Sequence, residues 1–277
     1  MLMLNRYFSL AFLFLVLCSA AFSQNSGTQI ITSSGQTADD LFIKLIGDPD
    51  AKVVYIPTAA SSLRSQNLTI WEPGAEENKD KYRDDMLKRF KLNSITILHT
   101  RDRKIADSDE FVKPLREARG VWISGGNPGR FMAAYSGTKV EKELKALLQR
   151  GGIVAGESAG AIVQGSYTIR GNPDKPVLMV EGSEKGLGLL KYVAINPHLT
   201  ASKRENELVT IIDRYPKLLG LGLDDDTGMV IKDGIGEVFG SGRIAIYDNI
   251  KHGGNWYYWL KAGDKFDLNK RTTVRSQ

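Results

Sequence analysis

The stretch "RGGIVAGESAGAIVQG", residues 150–165, decides how the rest of the chain is read. Two glycines precede a short apolar run, Ile153-Val154-Ala155. The GxSxG core Gly156-Glu157-Ser158-Ala159-Gly160 follows, and small and apolar residues then continue without a charge. A buried strand, a tight turn and a helix in that order form a nucleophile elbow. Its glycines let backbone segments pass closely, and its serine is held at the tip of the turn with Oγ exposed. The N–H of Ala159 opens the helix, where the dipole favours negative charge, so it is a candidate oxyanion donor. The alternative is that Ser158 is a small residue in a structural turn; the flanking strand and helix patterns weigh against it.

Moving outward, apolar runs suited to buried strands recur at 29–32 (QIIT), 52–57 (KVVYIP), 94–98 (SITIL), 120–124 (GVWIS), 152–156 (GIVAG) and 192–196 (YVAIN). Helical patterns lie between several of them. In TKVEKELKALLQRGG, Val140, Leu144, Leu147 and Leu148 share one face, Thr138 and Glu141 have capping-box spacing, and Gly151 supplies the stop. SKRENELVTIID repeats the device, with Ser202 and Glu205 as the box and Leu208, Ile211 and Ile212 as the face. Strands alternating with helices predict βαβ units in an α/β fold, its parallel sheet buried on both sides. After Gly220, short strands separated by DG, GS and DN turns predict antiparallel hairpins appended to that sheet. Residues 61–80 are the longest irregular stretch, and loops of that length are often functional.

With 277 residues, 42% of them hydrophobic and 25% charged, the chain can build one large globular domain or two small ones, and disordered or fibrous character is excluded. No internal repeat or dividing linker is visible. Residues 1–23, MLMLNRYFSLAFLFLVLCSAAFS, read as a secretory signal peptide: an early Arg6, an apolar run from Phe8 to Leu17, and small residues ending at Ala21-Phe22-Ser23. The run is shorter than the roughly 18 apolar residues of a membrane span. A mature domain over residues 24–277, secreted or periplasmic, is the expectation. Lipoprotein anchoring through Cys18 is disfavoured by bulky Leu17, where such sites prefer a small residue. Cys18 is the only cysteine, so the mature chain has no disulfide and no thiol for nucleophilic or metal chemistry. The net charge of +5 is scattered among acids rather than gathered in a stripe, which argues poorly for nucleic acid and weakly for an acidic substrate.

A serine nucleophile needs a base, and the chain has three histidines. His99 ends a strand upstream, and His252 lies in a hairpin-like turn. His198, in AINPHLTASKREN, follows a strand end, where functional loops gather on a parallel sheet, and Pro197 fixes the backbone before it. The third partner must orient the imidazole and stabilise its charged form. Asp224, Asp225 and Asp226 directly follow the apolar run LGLGL; composition does not choose among them, and a solvated turn or a calcium-type site are the bland readings of any two. The order serine, histidine, acid differs from the serine, acid, histidine order of α/β-hydrolases and points to a different fold with the same chemistry.

Three blocks together resemble the S51 serine peptidases, which include cyanophycinases and the aspartyl dipeptidase E group. They are GVWISGGNPGRF (120–131), GGIVAGESAGA (151–161), and AINPHL (194–199) followed by LGLGLDDDTGMVI (219–231). The resemblance implies a flavodoxin-like three-layer fold of the class I glutamine-amidotransferase kind, with serine in place of the amidotransferase cysteine. It implies Ser158 as nucleophile, His198 as base and Asp225 as acid, where members commonly carry glutamate. Backbone N–H groups of Gly126 and Ala159 become the oxyanion donors.

Where cyanophycinases tend to read DQHF followed by arginines, this chain has Asn196-Pro197-His198-Leu199, with Ser202 and Glu207 at two arginine positions; Arg204 remains. Gly125-Gly126-Asn127-Pro128 replaces a GGDQ-like substrate loop. Asn127, Glu157, Asn196 and Arg204 are therefore the candidate substrate contacts, Glu157 either attracting an amino group or pointing to solvent. The expectation is a secreted serine exopeptidase for aspartyl or isoaspartyl (β-aspartyl, cyanophycin-like) peptides. Its chemistry needs no metal or cofactor, and family members often form homodimers. A non-catalytic peptide-binding member of the same fold and an esterase are the alternatives.

Overall fold

The computed structural model describes residues 27–60, 63–64, 70–71, 79–175 and 177–274. The expected signal peptide and most of the 61–80 stretch lie outside the described residues. In chain order the first elements are β1 (Thr28–Thr32), α1 (Gln36–Ile46), β2 (Val53–Ile56), the short strands β3 (Leu63–Arg64) and β4 (Ile70–Trp71), α2 (Lys79–Phe90) and β5 (Thr96–Ile97). Next come α3 (Arg103–Ala106), α4 (Asp109–Glu117), β6 (Gly120–Ile123), α5 (Pro128–Tyr135), α6 (Lys139–Gln149), β7 (Ile153–Glu157) and α7 (Ala159–Ile162). The C-terminal part holds β8 (Gly165–Tyr167), β9 (Leu190–Pro197), α8 (Glu205–Arg214), β10 (Leu219–Leu223), β11 (Thr227–Lys232) and β12 (Ile235–Gly240). The last four strands are β13 (Arg243–Tyr247), β14 (Tyr258–Lys261), β15 (Lys265–Asp267) and β16 (Thr272–Val274).

One sheet runs β16-β15-β12-β11-β1-β7-β6-β2-β5, parallel from β1 to β5 and antiparallel beyond β1. Side chains alternate across each strand, so every central strand feeds two cores. Val54, Ile56, Val121, Ile123 and Val154 pack with Val112, Leu115, Phe131, Leu144 and Leu147 of α4, α5 and α6. Val53, Tyr55, Trp122, Ile153 and Ala155 face Phe42, Ile46, Tyr82, Met86 and Phe90 of α1 and α2. Helices on both faces bury these strands completely, which is why they read as unbroken apolar runs. This is the expected three-layer α/β arrangement.

A second sheet, β14-β13-β10-β9-β8, stacks on the first. Ile195, Leu219, Leu221, Leu223, Ile244 and Ile246 from it meet Ile31, Met229 and Ile231 from the first. The C-terminal strands are thus shared out: β11, β12, β15 and β16 extend the parallel sheet, whereas β13 and β14 complete the second. In LGLGL the leucines fill the inter-sheet core and the glycines leave room on the other face. A Cβ at Gly222 would come within 2.7 Å of Leu199, and one at Gly220 within 2.9 Å of Tyr247.

Two capping readings need correction. Thr138 is at the N-cap of α6, but its hydroxyl donates to Tyr135 O at 2.8 Å, while Glu141 accepts from Gly137 N–H at 2.7 Å. Half of that box is made, displaced by one residue. Helix α8 follows Arg204 without a side-chain cap, and Ser202 lies upstream in a turn that donates its N–H to His198 O at 3.0 Å. That turn is used to bring the chain back behind His198 rather than to start the helix.

Candidate active site

Ser158 sits at the junction of β7 and α7 with φ 50° and ψ −110°. A positive φ in a residue with a Cβ costs about 1–3 kcal/mol and persists only where the surroundings enforce it. Here Ser158 N–H is held by Thr32 O at 2.8 Å, at the end of neighbouring β1. The motif glycines permit the turn: a Cβ at Gly156 would strike Gly160 O, and one at Gly160 would strike Ile123 O. Gly125 passes so close that a Cβ there would lie 3.3 Å from Ser158 Cβ. Gly126, at φ 135°, packs against the backbone of Ala59. The N–H groups of Gly126 and Ala159 have no backbone acceptor among the described residues, which leaves both available to a developing oxyanion.

The second sheet supplies the partners. Strands β9 and β10 are parallel and in register, with Pro197 beside Leu223. His198 and the aspartates therefore leave the same edge side by side. His198 takes φ 58°, which turns its ring toward the elbow. Its Nε2 is 3.0 Å from Ser158 Oγ, and its Nδ1 is 2.5 Å from Asp225 Oδ1.

The three aspartates have separate surroundings. Asp224 is buried; it accepts from Thr200 Oγ1 at 2.8 Å and Arg243 N–H at 3.2 Å, and its carbonyl accepts from Ser33 Oγ. Asp226 has φ 48° and accepts from Thr37 Oγ1 at 3.1 Å and Ser241 Oγ at 3.0 Å. Only Asp225 of the three reaches the imidazole. Beyond them the chain enters β11, which pairs with β1, so this short segment crosses from the second sheet to the first. It draws His198 toward Ser158, which belongs to the other sheet.

The other candidate contacts are placed differently from the expectation. Glu157 neither points freely to solvent nor stands as a bare carboxylate: Arg89 of α2 donates to its Oε2 at 2.8 Å. The same guanidinium grips Asp39 of α1 through Nε and Nη2, each at 2.8 Å, and lies over Phe90 and Trp122. Burial opposes the Arg89 charge, but Glu157 and Asp39 outweigh it and hold its pKa above the ordinary range. Burial raises the Asp39 pKa against the opposing pull of Arg89. Asn127 spends its side chain on structure, capping α5 through Gly129 N–H at 2.8 Å and donating to Pro173 O at 3.1 Å.

Asn196 is fully buried and bonds to Glu207 and Arg170, so a direct contact between its side chain and a substrate is corrected to a supporting one. Glu207, at a position where an arginine was expected, accepts from Arg170 Nη2 with both carboxylate oxygens at 2.6 and 2.7 Å. Among the described residues the Arg204 side chain donates a single long bond, 3.5 Å to Pro197 O; burial and the nearby Arg170 lower its pKa.

Arg89, Asp39 and Arg170 escaped the sequence reading because each ion pair spans 37 to 68 residues. One local signal existed: Asp39 shares the buried stripe of α1 with Phe42 and Ile46, and a carboxylate there needs a cation. Of the remaining histidines, His99 bonds Thr58 Oγ1 at 2.9 Å, and burial together with Arg101 lowers its pKa to about 4. His252 bonds Asp248 at 2.9 Å.

Comparison with known proteins identifies the family and the fold. The model of peptidase family S51 matches residues 23–238. A cyanophycinase of Nostoc sp. is 30% identical over 200 residues, covering 65% of this chain and 67% of that protein. A cyanophycinase of Thermosynechococcus vestitus is 30% identical over 226 residues, covering 80% of this chain and 64% of its own. The chain thus spans about two thirds of the length of these relatives. Among solved structures, a peptidase from an acI-B1 Actinobacterium superposes with a TM-score of 0.65 at 23% identity, covering 87% of this chain and 97% of that one. A putative peptidase E protein from Listeria monocytogenes gives 0.54 at 19% identity, covering 78% and 100%. The two structures speak for the fold; the family match and the 30% identity go further, and by them this chain belongs to peptidase family S51 and is a serine-type peptidase.

Proposed function

We propose that the protein is an exported exopeptidase that hydrolyses aspartyl or β-aspartyl peptide bonds through Ser158, His198 and Asp225. The observation that carries this reading is the unbroken chain from Asp225 Oδ1 to His198 Nδ1 at 2.5 Å and from His198 Nε2 to Ser158 Oγ at 3.0 Å. Asp225 fixes the tautomer with the proton on Nδ1, which leaves Nε2 to accept the hydroxyl proton as Oγ attacks the carbonyl carbon. The tetrahedral oxyanion is held by the N–H groups of Gly126 and Ala159. Collapse breaks the C–N bond, His198 returns the proton to the leaving amine, and water repeats the sequence on the acyl-enzyme.

The substrate class rests on Arg204. Partly buried, beside the strand end that carries His198, it keeps donors for the free carboxylate of an aspartyl unit. The relatives named cyanophycinase support acidic, β-linked substrates. Glu157, tied to Arg89, holds its backbone beside the nucleophile. Residues 24–277 act as one catalytic unit, released by removal of residues 1–23.

A panel of cyanophycin, β-Asp-Arg, β-Asp-Lys and α-Asp-X dipeptides, assayed with parent and Ser158→Ala, tests the reading. Hydrolysis by the parent alone is expected. Turnover by Ser158→Ala at the parental rate, or a Ser158 that a fluorophosphonate fails to label, overturns it. Cleavage of simple esters with no aspartyl peptide turned over would favour the esterase.

A further inference from the structure

A second feature lies on the same edge of the parallel sheet. Strands β7, β6, β2 and β5 are consecutive neighbours, and Ser158, Gly125-Gly126, Ala59-Ala60 and Arg101 all leave their C-terminal ends. Three strand spacings of about 4.8 Å place the β5 end some 14 Å from the β7 end. Between the outer face of α5 and the 173–174 segment opens a cleft of about 350 Å³ lined by Arg101, Arg103 and Arg130, with Asp174 as its one acid. Arg101 donates to Ala60 O at 3.0 Å; Arg103 donates to Ala133 O and Ser136 O at 2.8 and 2.7 Å. Both guanidinium groups are thereby fixed and keep further donors. Arg130 makes no side-chain hydrogen bond or ion pair among the described residues.

The cleft shares its wall with the oxyanion loop. Asn127 donates its N–H to Ala59 O at 2.8 Å, caps α5 at Arg130 N–H, and ties Pro173 with its side chain. Arg130 is four residues from Gly126, and part of that span is helical, so about 10 Å separates them. An extended peptide advances about 3.3 Å per residue, which puts the cleft three or four residues from the scissile bond.

We infer that this cleft is a remote subsite for a substrate carboxylate, and that the enzyme takes extended acidic peptides with a carboxylate three or four residues from the bond cleaved. The inference rests on the peptidase reading above and deepens it. Three guanidinium groups against one carboxylate fit an anion, and Arg130, whose fork has no partner among the described residues, can meet a planar carboxylate with both outer nitrogens. The short open cleft suits one peptide segment, whereas nucleic acid would need a longer basic track.

The test measures binding without turnover. Fluorescence anisotropy of labelled six-residue peptides, one with an aspartyl tail and one with a glutaminyl tail, is recorded on full-length mature Ser158→Ala near physiological salt. Fluorophosphonate-inactivated parent serves as a second form. A charge-assisted bond worth at least about 1.5 kcal/mol makes the acidic peptide bind about ten-fold tighter or more. Adding Arg130→Glu, or separately the milder Arg130→Gln, should remove most of that preference. Lys52→Glu, at the opposite edge of the sheet, should retain it, since charges beyond about 8 Å are largely screened.

Equal binding of the two peptides, a preference that survives both Arg130 substitutions, or equal loss with Lys52→Glu would overturn the subsite. Tighter binding of a single-stranded oligonucleotide than of the acidic peptide would do the same. If the parent hydrolyses no aspartyl peptide yet the acid preference persists and depends on Arg130, the catalytic reading falls and the cleft stands.

Discussion

Replacing Arg89 with methionine tests whether the buried charges behind the nucleophile are a unit. The guanidinium is only 13% exposed and Asp39 only 2%, so methionine leaves a carboxylate out of water with no cation. Three hydrogen bonds of 2.8 Å disappear, two to Asp39 and one to Glu157. Breaking a buried ion pair from one side costs about 3–5 kcal/mol. For a domain of this size each kcal/mol moves Tm by about 2–4 °C, so a fall of roughly 6–20 °C is expected. Urea denaturation followed by tryptophan fluorescence gives the free energy, with an unchanged slope showing that the two end states are the same.

Removing the orphaned charge as well, in Arg89→Met with Asp39→Leu, should recover at least half of the loss, because apolar replacement of a whole buried pair is often near neutral. The pH dependence has a definite sign. Burial raises the Asp39 pKa and Arg89 pulls it down, so losing Arg89 raises it further, the variant's folded state gains more from protonation than the parent's, and the deficit of the single variant narrows as pH falls from about 7 to about 5. A loss below about 1 kcal/mol, or a double variant no better than the single, would refute the reasoning.

Asp225→Asn should lower kcat by about four orders of magnitude with Tm nearly unchanged, because it presents the wrong tautomer to Ser158. Asp224→Ala should instead cost about 1–3 kcal/mol in denaturation, since it removes the buried carboxylate that accepts charge-assisted bonds from Thr200 Oγ1 and Arg243 N–H. Gly160→Ala should lose both stability, by about 1–3 kcal/mol, and labelling by a fluorophosphonate, because the new methyl meets Ile123 O under the elbow; parental melting and labelling would contradict this. His99, with its pKa lowered to about 4, contributes stability that is complete above the unfolded value and is lost as pH falls toward 4. Discounting the partly exposed ring for solvent screening, parent should lose on the order of 1–2 kcal/mol more than His99→Gln between about pH 7 and pH 4.5 in denaturant titrations.

What could be read from the sequence followed chain proximity. Ile153-Val154-Ala155 and the glycines around Ser158 announce strand, turn and helix within a dozen residues, and all three are present. The parallel layer was equally legible because both faces of β2, β6 and β7 are buried. The division of the C-terminal strands between two sheets was not, since β11 and β13 are both short, largely buried runs and are told apart by which distant strand they join. Side chains such as Asn127 and Asn196 looked like substrate contacts because polar residues near a motif resemble ligands. Their partners Pro173 and Glu207, invisible locally, occupy them.

The run DDD also shows why position within a motif can be undecidable from composition and still unique in space. All three carboxylates lie between β10 of one sheet and β11 of the other. The first is tied down by Thr200, just past β9, and Arg243 of β13, and the third by Thr37 of α1. Anchoring both flanks leaves the middle one projecting from a segment that bridges the sheets, where His198 arrives from adjacent β9. The geometry of Ser158, His198 and Asp225 is therefore set by how the two sheets pack, through Leu221, Leu223, Ile31 and Ala161, more than by any contact among the three. An aspartate, one methylene shorter than glutamate, reaches the imidazole here because its own backbone is drawn toward His198 from both sides.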